Sequence, residues 1–413
     1  MHDLGELTTH CIRCGFCLEA CPTFTETGSE LESPRGRIYL VRSALDGKLN
    51  WQDDVSPHLD RCLGCRACET ACPSAVKYGL ILEMARDRIE EQRPNRPKSA
   101  LLASTAHPNL LRTQLALSKL LPGRRMPGLL SRLVSGDSPE ADLPSPEPVR
   151  VLEPLDEATL PAIRGEVYLL EGCAMRVLYP GVHQSLRRLL RRVGLGVREA
   201  PAQACCGSIY AHNGHLDEAR EMAQRLAATM PGDLPVIVDS AGCGSAMKEY
   251  EDRAFAARVR DASEFLFAEG LADVLANGSG LRATVTYHDA CHLAHGQGIR
   301  SAPRELLAAI PDLKLLELTE ADTCCGSAGI YNLTQPKLAR ALLERKYANI
   351  EATGAEIVAL GNPGCHAWIA QAAREHGGKI RVTHTLEVLE EALSGGKGKK
   401  EKGKGVMSKT TSR

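Results

Sequence analysis

One cysteine spacing occurs twice within the first 73 residues. Cys11, Cys14, Cys17 and Cys21 precede Pro22, and Cys62, Cys65, Cys68 and Cys72 precede Pro73. Each copy reads C-x2-C-x2-C-x3-C-P, the run that holds a [4Fe–4S] cube through thiolates. Three cysteines two residues apart can wrap three corners of one cube, whereas the fourth, beyond a turn and stopped by proline, points elsewhere. Where two such runs lie in one chain, the fourth cysteine serves the other cube. The spacing therefore assigns Cys11, Cys14, Cys17 and Cys72 to one cluster, and Cys62, Cys65, Cys68 and Cys21 to a second. Paired zinc knots would more naturally show two C-x2-C pairs per ion.

With 413 residues the chain has room for two or three domains. A net charge of −1 and 4% aromatics give no argument for nucleic acid. The amino-terminal MHDLGELTTHCIRCG lacks the pattern of a signal peptide, and no apolar run approaches the ~20 residues of a membrane span. Sixteen cysteines in such a chain are expected in a reducing cytoplasm, where clustered thiols usually mean metal.

Helical periodicity in SPRGRIYLVRSALDG and in GLILEMARDRIEEQ brackets the second run. The expectation is a helical two-cluster ferredoxin domain over residues 1–95. Arg35 and Arg37 either place positive charge near a cluster or are ordinary surface and capping residues. Residues 96–165 follow as a basic helical segment and a proline-rich linker. From 93 to 133 there are eight basic residues (Arg93, Arg96, Lys98, Arg112, Lys119, Arg124, Arg125, Arg132), no acidic one, and interleaved leucines. Such a segment suits an anionic membrane face or a partner subunit, or is an interdomain helix with a solvated face. Residues 395–413 are a basic, low-complexity tail expected to be disordered.

The other eight cysteines lie in an internal repeat, 166–282 and 283–394. EVYLLEGC ending at Cys173 matches TVTYHDAC ending at Cys291; Cys205-Cys206-Gly207-Ser208 matches Cys324-Cys325-Gly326-Ser327; and VIVDSAGC ending at Cys243 matches EIVALGNPGC ending at Cys365. Short apolar runs alternating with helices predict α/β units with parallel sheets. The predicted class is thus α plus α/β. Cys173, Cys243, Cys291 and Cys365 fall at predicted strand ends, where open parallel sheets build their sites. Each repeat should gather four thiols at one edge, for an iron–sulfur cluster, zinc or a redox-active pair. An adjacent Cys-Cys pair suits simple tetrahedral zinc poorly. His288, His292, His295 and His366 lie beside these cysteines, as proton relays or, the expected role, as hydrogen-bonding neighbours of a metal site.

On CIRCGFCLEACPT, SPRGRIYLV, LDRCLGCRACETACPSAVKYG, LLEGCA, CCGS, SAGCG, CCGSAG and NPGC, the chain resembles the iron–sulfur subunit of bacterial glycolate oxidase (glycolate dehydrogenase). Its repeats are similar to the cysteine-rich (CCG) units of heterodisulfide reductase, lactate-utilisation proteins and anaerobic glycerol-3-phosphate dehydrogenase. It departs from the heterodisulfide reductase pattern: where a fifth cysteine would stand after Cys243 and Cys365, it has Ala246 and Trp368. No G-x-G-x-x-G opens a helix after a strand, so no dinucleotide site is expected. The resemblance implies an electron-transfer subunit with no substrate-oxidising residues of its own. FAD-bearing partner subunits would oxidise glycolate to glyoxylate, and the acceptor would be quinone at the inner membrane face. The alternatives are a lactate or glycerol-3-phosphate dehydrogenase subunit, a thiol–disulfide reductase, and an adaptor that binds only structural zinc.

Overall fold

The computed structural model describes residues 3–118, 146–149 and 151–395. Lys119, Arg124, Arg125 and Arg132 of the basic segment, residues 135–145 of the linker and the tail from 396 onward lie outside the described residues. The amino-terminal part is helical. Helix Pro34–Leu45 starts where the Ser33 hydroxyl accepts the Gly36 N–H and proline takes the first turn. Helix Tyr78–Gln92 buries Tyr78, Ile81, Leu82, Ala85 and Ile89 against it, following the expected periodicity. Two further helices, Arg96–Ala106 and Pro108–Ser118, form a hairpin. Leu102 is fully buried, and Leu111 and Leu115 enter the core of the first repeat.

Each repeat is a four-stranded parallel sheet. The first contains β1 (Gly165–Leu170), β2 (Leu195–Arg198), β3 (Val236–Val238) and β4 (Val259–Asp261), in the order β2-β1-β3-β4. The second contains β5 (Ala283–Tyr287), β6 (Leu313–Leu316), β7 (Ile357–Leu360) and β8 (Arg381–His384), in the order β6-β5-β7-β8. The register is equivalent in the two: Tyr168 pairs with Val236 and Val285 with Ile357. The edge strands β2 and β6 were not legible as apolar runs. Both are short and half-exposed, so burial did not demand one.

The repeats pack reciprocally. Helix Pro180–Arg192 of the first lies on helix Thr385–Leu393 of the second, and helix Ala262–Ala268 of the first on Ser301–Ala308 of the second. Val182, Leu186, Leu189 and Leu190 line one stripe of the 180–192 helix and enter a core common to both repeats. Its arginines stay outside that stripe, and Arg188 donates to the buried Glu390 at 2.6 Å. Strand order reverses between β1 and β3, and between β5 and β7. These are the switch points at which parallel sheets open a crevice, and the two crevices face a common space.

Candidate metal centres and the cavity between them

In the amino-terminal runs, the backbone turns left-handed immediately before and after the second cysteine of each copy. Arg13 and Gly15 have φ of 59° and 91°, and Gly64 and Arg66 have φ of 63° and 64°. Glycine relieves one position in each copy, and an arginine carries the strain of roughly 1–2 kcal/mol at the other. These turns wrap the loop so that its thiols converge.

The eight cysteines divide by burial. Cys14 is exposed and Cys11, Cys17 and Cys72 are partly exposed, whereas Cys21, Cys62, Cys65 and Cys68 are buried. Cys17 interacts with Cys11, while Cys65 and Cys68 interact with Cys62 and Cys21. Cys17 also lies near Cys21, so the thiols of the two runs interleave. Burial, reinforced by neighbouring sulfurs, pushes the Cys65 and Cys68 thiols well up. A cationic centre is what would turn such thiols into ligands.

Donors point at the sulfurs. The Gly64 N–H reaches Cys62 Sγ at 3.4 Å, the Val76 N–H reaches Cys72 Sγ at 3.5 Å, and the Tyr78 hydroxyl reaches Cys62 Sγ at 3.5 Å. Thr23 Oγ1 and Cys21 Sγ are 3.2 Å apart. Arg35 and Arg37 both belong to this environment. Arg35 gives its backbone N–H to Cys17 and lays its guanidinium against Gly15. Arg37 is buried near Cys62 and Cys21, held by Glu32 at 2.8 Å, Thr23 at 3.0 Å and the His58 carbonyl at 2.8 Å. The donor set and its surroundings fit iron–sulfur clusters: convergent thiols, N–H and O–H groups on sulfur, and fixed positive charge.

In the repeats, Cys173 follows β1 and Cys243 follows β3, on neighbouring strands, and the adjacent pair comes from the loop between. Cys173 Sγ lies 3.6 Å from Cys205 Sγ, with Cys206 and Cys243 continuing the chain of contacts. The second repeat repeats the chain from Cys291 through Cys324 and Cys325 to Cys365. Both Cys-Cys-Gly turns need their glycine for two reasons. Gly207 and Gly326 have φ of 80° and 87°, and a Cβ there would lie 2.8 Å from the Ala219 carbonyl oxygen and 2.5 Å from that of Ala339.

Both sets open onto one cavity of about 1500 Å³, lined by seven of the eight repeat cysteines and also by Cys62. Cys65 packs with Cys324, Cys325 and Cys365 in the core of the second repeat. Arg86 ties the domains together, donating to the Leu59, Cys62 and His212 carbonyls at 2.6, 2.8 and 2.6 Å. Its signal in the sequence was a charged residue on the apolar stripe between Leu82 and Ile89.

Comparison with known proteins agrees with this arrangement. A 4Fe-4S dicluster domain model matches residues 8–76, and a cysteine-rich domain model matches 167–248 and again 285–370. The probable glycolate oxidase iron-sulfur subunit of Bacillus subtilis is 33% identical over 94% of this chain and 95% of its own. The glycolate oxidase iron-sulfur subunit of Escherichia coli is 32% identical over 95% of each. This chain belongs to the family of glycolate oxidase iron–sulfur subunits. More distantly, one fumarate reductase (CoM/CoB) subunit, from Methanothermobacter marburgensis, is 27% identical over 93% of this chain and 72% of its own. Lactate utilization protein A of Oceanobacillus iheyensis is 28% identical over 56% of this chain and 99% of its own. The family places the chain among iron–sulfur oxidoreductase subunits that carry electrons.

The histidines of this family member have separate surroundings. His292 Nε2 lies 3.1 Å from the Gly64 carbonyl oxygen, with its ring 4.9 Å from that of His212. Burial, then the nearby His212 and Arg66, pushes His292 down to about 3. His212 was missed from the sequence; its Nδ1 is 2.6 Å from Glu83 and its Nε2 3.1 Å from Ser208. His295 meets Thr70 at 2.9 Å and the Asp322 carbonyl at 3.1 Å. These rings act as hydrogen-bonding neighbours joining domains. His366, next to Cys365 in sequence, stacks on Tyr179 at 4.3 Å and approaches Glu147 at 3.1 Å. His288 stands apart, completely buried beside Cys325 and Cys365.

The 96–118 hairpin borders the same cavity. Arg93, Arg96 and Arg112 are exposed, as are Leu110 and Leu117, but Lys98 is spent on a buried ion pair with Glu90 at 3.0 Å. Among the described residues, no helix is long and apolar enough to cross a membrane.

Proposed function

We propose that this chain is the electron-carrying subunit of a glycolate-oxidising complex. It would hold two [4Fe–4S] clusters, on Cys11, Cys14, Cys17 and Cys72 and on Cys62, Cys65, Cys68 and Cys21. The clusters supply one-electron carriage; partner subunits with FAD would supply the two-electron oxidation of glycolate to glyoxylate, with membrane quinone as acceptor.

The observation that carries this reading is the gradient of exposure. The Cys11–Cys72 group reaches the surface at Cys14, where a partner can approach. The Cys21–Cys68 group is buried; its Cys62 lines the shared cavity and its Cys65 packs with the thiols of the second repeat. The residues in between exclude solvent and set the surroundings of sulfur: Arg37 and Tyr78 at the inner group, Arg35 at the outer. The exposed arginines and leucines of the 96–118 hairpin would seat the complex on an anionic inner membrane face. Cys173, Cys205, Cys206 and Cys243, and likewise Cys291, Cys324, Cys325 and Cys365, would hold further metal.

The assembled complex provides the test. Cys14→Ala or Cys65→Ala should stop electron flow to a quinone analogue while glycolate still reduces the partner flavin. Unchanged quinone reduction with iron lost from both groups would refute the relay. A thiol–disulfide reductase has one observation in its favour. Hydrogen bonds from Cys173 and Cys206 hold the cavity-lining Cys205 thiol well below its usual range. Disulfide cleavage by reduced protein, absent in Cys205→Ser, would favour it.

A further inference from the structure

His288 differs from every other histidine around these centres. It follows β5, lies three residues before Cys291 and has no exposed surface. Neither ring nitrogen makes a well-formed hydrogen bond, although the Ala321 carbonyl lies close enough to favour a proton on one of them. A buried polar group left unpaired forfeits the hydrogen bonds that water would give it. In the first repeat the matching residue is Leu170, also buried but apolar.

A ring nitrogen of His288 and the sulfurs of Cys325 and Cys365 all lie within 4.8 Å of one another. Around a tetrahedral ion with bonds of ~2.0–2.3 Å, neighbouring ligand atoms stand roughly 3.3–3.8 Å apart. A small contraction therefore brings the three donors onto one ion. The thiolates of a cubane each bind a different iron and must spread further. His288 and Cys325 are not in the cavity lining, whereas Cys291, Cys324 and Cys365 are, so the protein encloses this spot from behind.

We propose that the second repeat holds a single thiophilic ion of the zinc type on His288, Cys325 and Cys365, with Cys291 or Cys324 as fourth ligand. The first repeat, with Leu170, lacks this centre. With Cys291 as the fourth ligand, only one member of the adjacent Cys-Cys pair binds alongside Cys365 and the imidazole, which removes the geometric objection to two neighbouring ligands. A histidine ligand commonly gives its other ring nitrogen to a carbonyl or carboxylate, and the Ala321 carbonyl lies near this ring. The ion would pin the ends of β5 and β7 to the Cys-Cys-Gly turn. The proposal does not depend on which substrate the complex oxidises.

The full chain, purified anaerobically from cells supplied with zinc and iron, should contain about one zinc besides its iron. His288→Leu should lower zinc at least ~5-fold and leave iron unchanged, while His288→Cys, which keeps a donor, should retain zinc. Cobalt substituted for zinc should show visible bands that shift between wild type and His288→Cys. Zinc below about a tenth of an equivalent in wild type, undiminished zinc in His288→Leu, or loss of iron in place of zinc would each overturn the proposal. If His288→Leu does not fold, a soluble His288→Cys without zinc also overturns it.

Discussion

The two cysteine-rich repeats share strand order, register and the turn that presents the thiols, yet their surroundings differ. The first set is walled by the 96–118 hairpin and by apolar neighbours, with Leu170 behind it. The second has a buried imidazole behind it and Cys65 of the amino-terminal domain packed against it. Two tyrosines at non-equivalent positions add to the difference. The Tyr250 hydroxyl donates to the carbonyl of Cys206 in its own repeat, at 2.6 Å, whereas the Tyr331 hydroxyl donates to the Arg61 carbonyl across the domain boundary, at 2.9 Å. A duplicated scaffold thus delivers equivalent thiols to a switch point, and the residues behind and around them differentiate the sites. The scaffold is set by backbone geometry, the difference by side chains.

The largest expected effect tests the common part. Gly207→Ala and Gly326→Ala combine a positive φ with a backbone clash, and each should cost at least ~3 kcal/mol in stability. Gly326→Ala should be the worse, because its clearance is 2.5 Å rather than 2.8 Å. Thermal unfolding of the two variants measures this; equal, small losses would mean that the turns relax freely.

A smaller effect tests the attachment of the second repeat. His292 is held down to about 3 in the folded protein, chiefly by burial, against about 6.5 unfolded. Its contribution is therefore present above pH 6.5 and is lost as pH falls towards 3, because the unfolded chain takes up the proton first. Between pH 6.5 and 5 the wild type should lose roughly 1.5–2 kcal/mol more than His292→Asn does. Denaturant midpoints at the two pH values measure the difference, and parallel slopes would remove His292 from the interface account.

The smallest effect separates the tyrosines. Tyr250→Phe and Tyr331→Phe should each cost about 1 kcal/mol. Only Tyr331→Phe should speed amide hydrogen exchange around residues 61–64; equal protection in both variants would dissolve the distinction.

Much of this molecule could be read without coordinates, for reasons visible in particular residues. Ligand runs such as Cys62–Cys72 are local, so spacing along the chain already restricts what they can wrap. The 180–192 helix announces itself by Val182, Leu186, Leu189 and Leu190 recurring at helical intervals. Cys173 and Cys291 stand at strand ends because apolar runs precede them. The edge strands β2 and β6 escaped because half-exposed strands need no such run, and Arg86 escaped because its partners, 24 to 126 residues distant, are backbone carbonyls.

The amino-acid order by itself determined the ligand runs, the duplication, the parallel α/β class and the family, since these rest on short-range spacing and periodicity. Only the tertiary structure decided that seven repeat thiols share one cavity, that Cys65 meets the second set and not the first, and that His288 points a bare imidazole at two thiols while His366 does not. Those relations join residues far apart in the chain, and packing, rather than spacing, selects which of them touch.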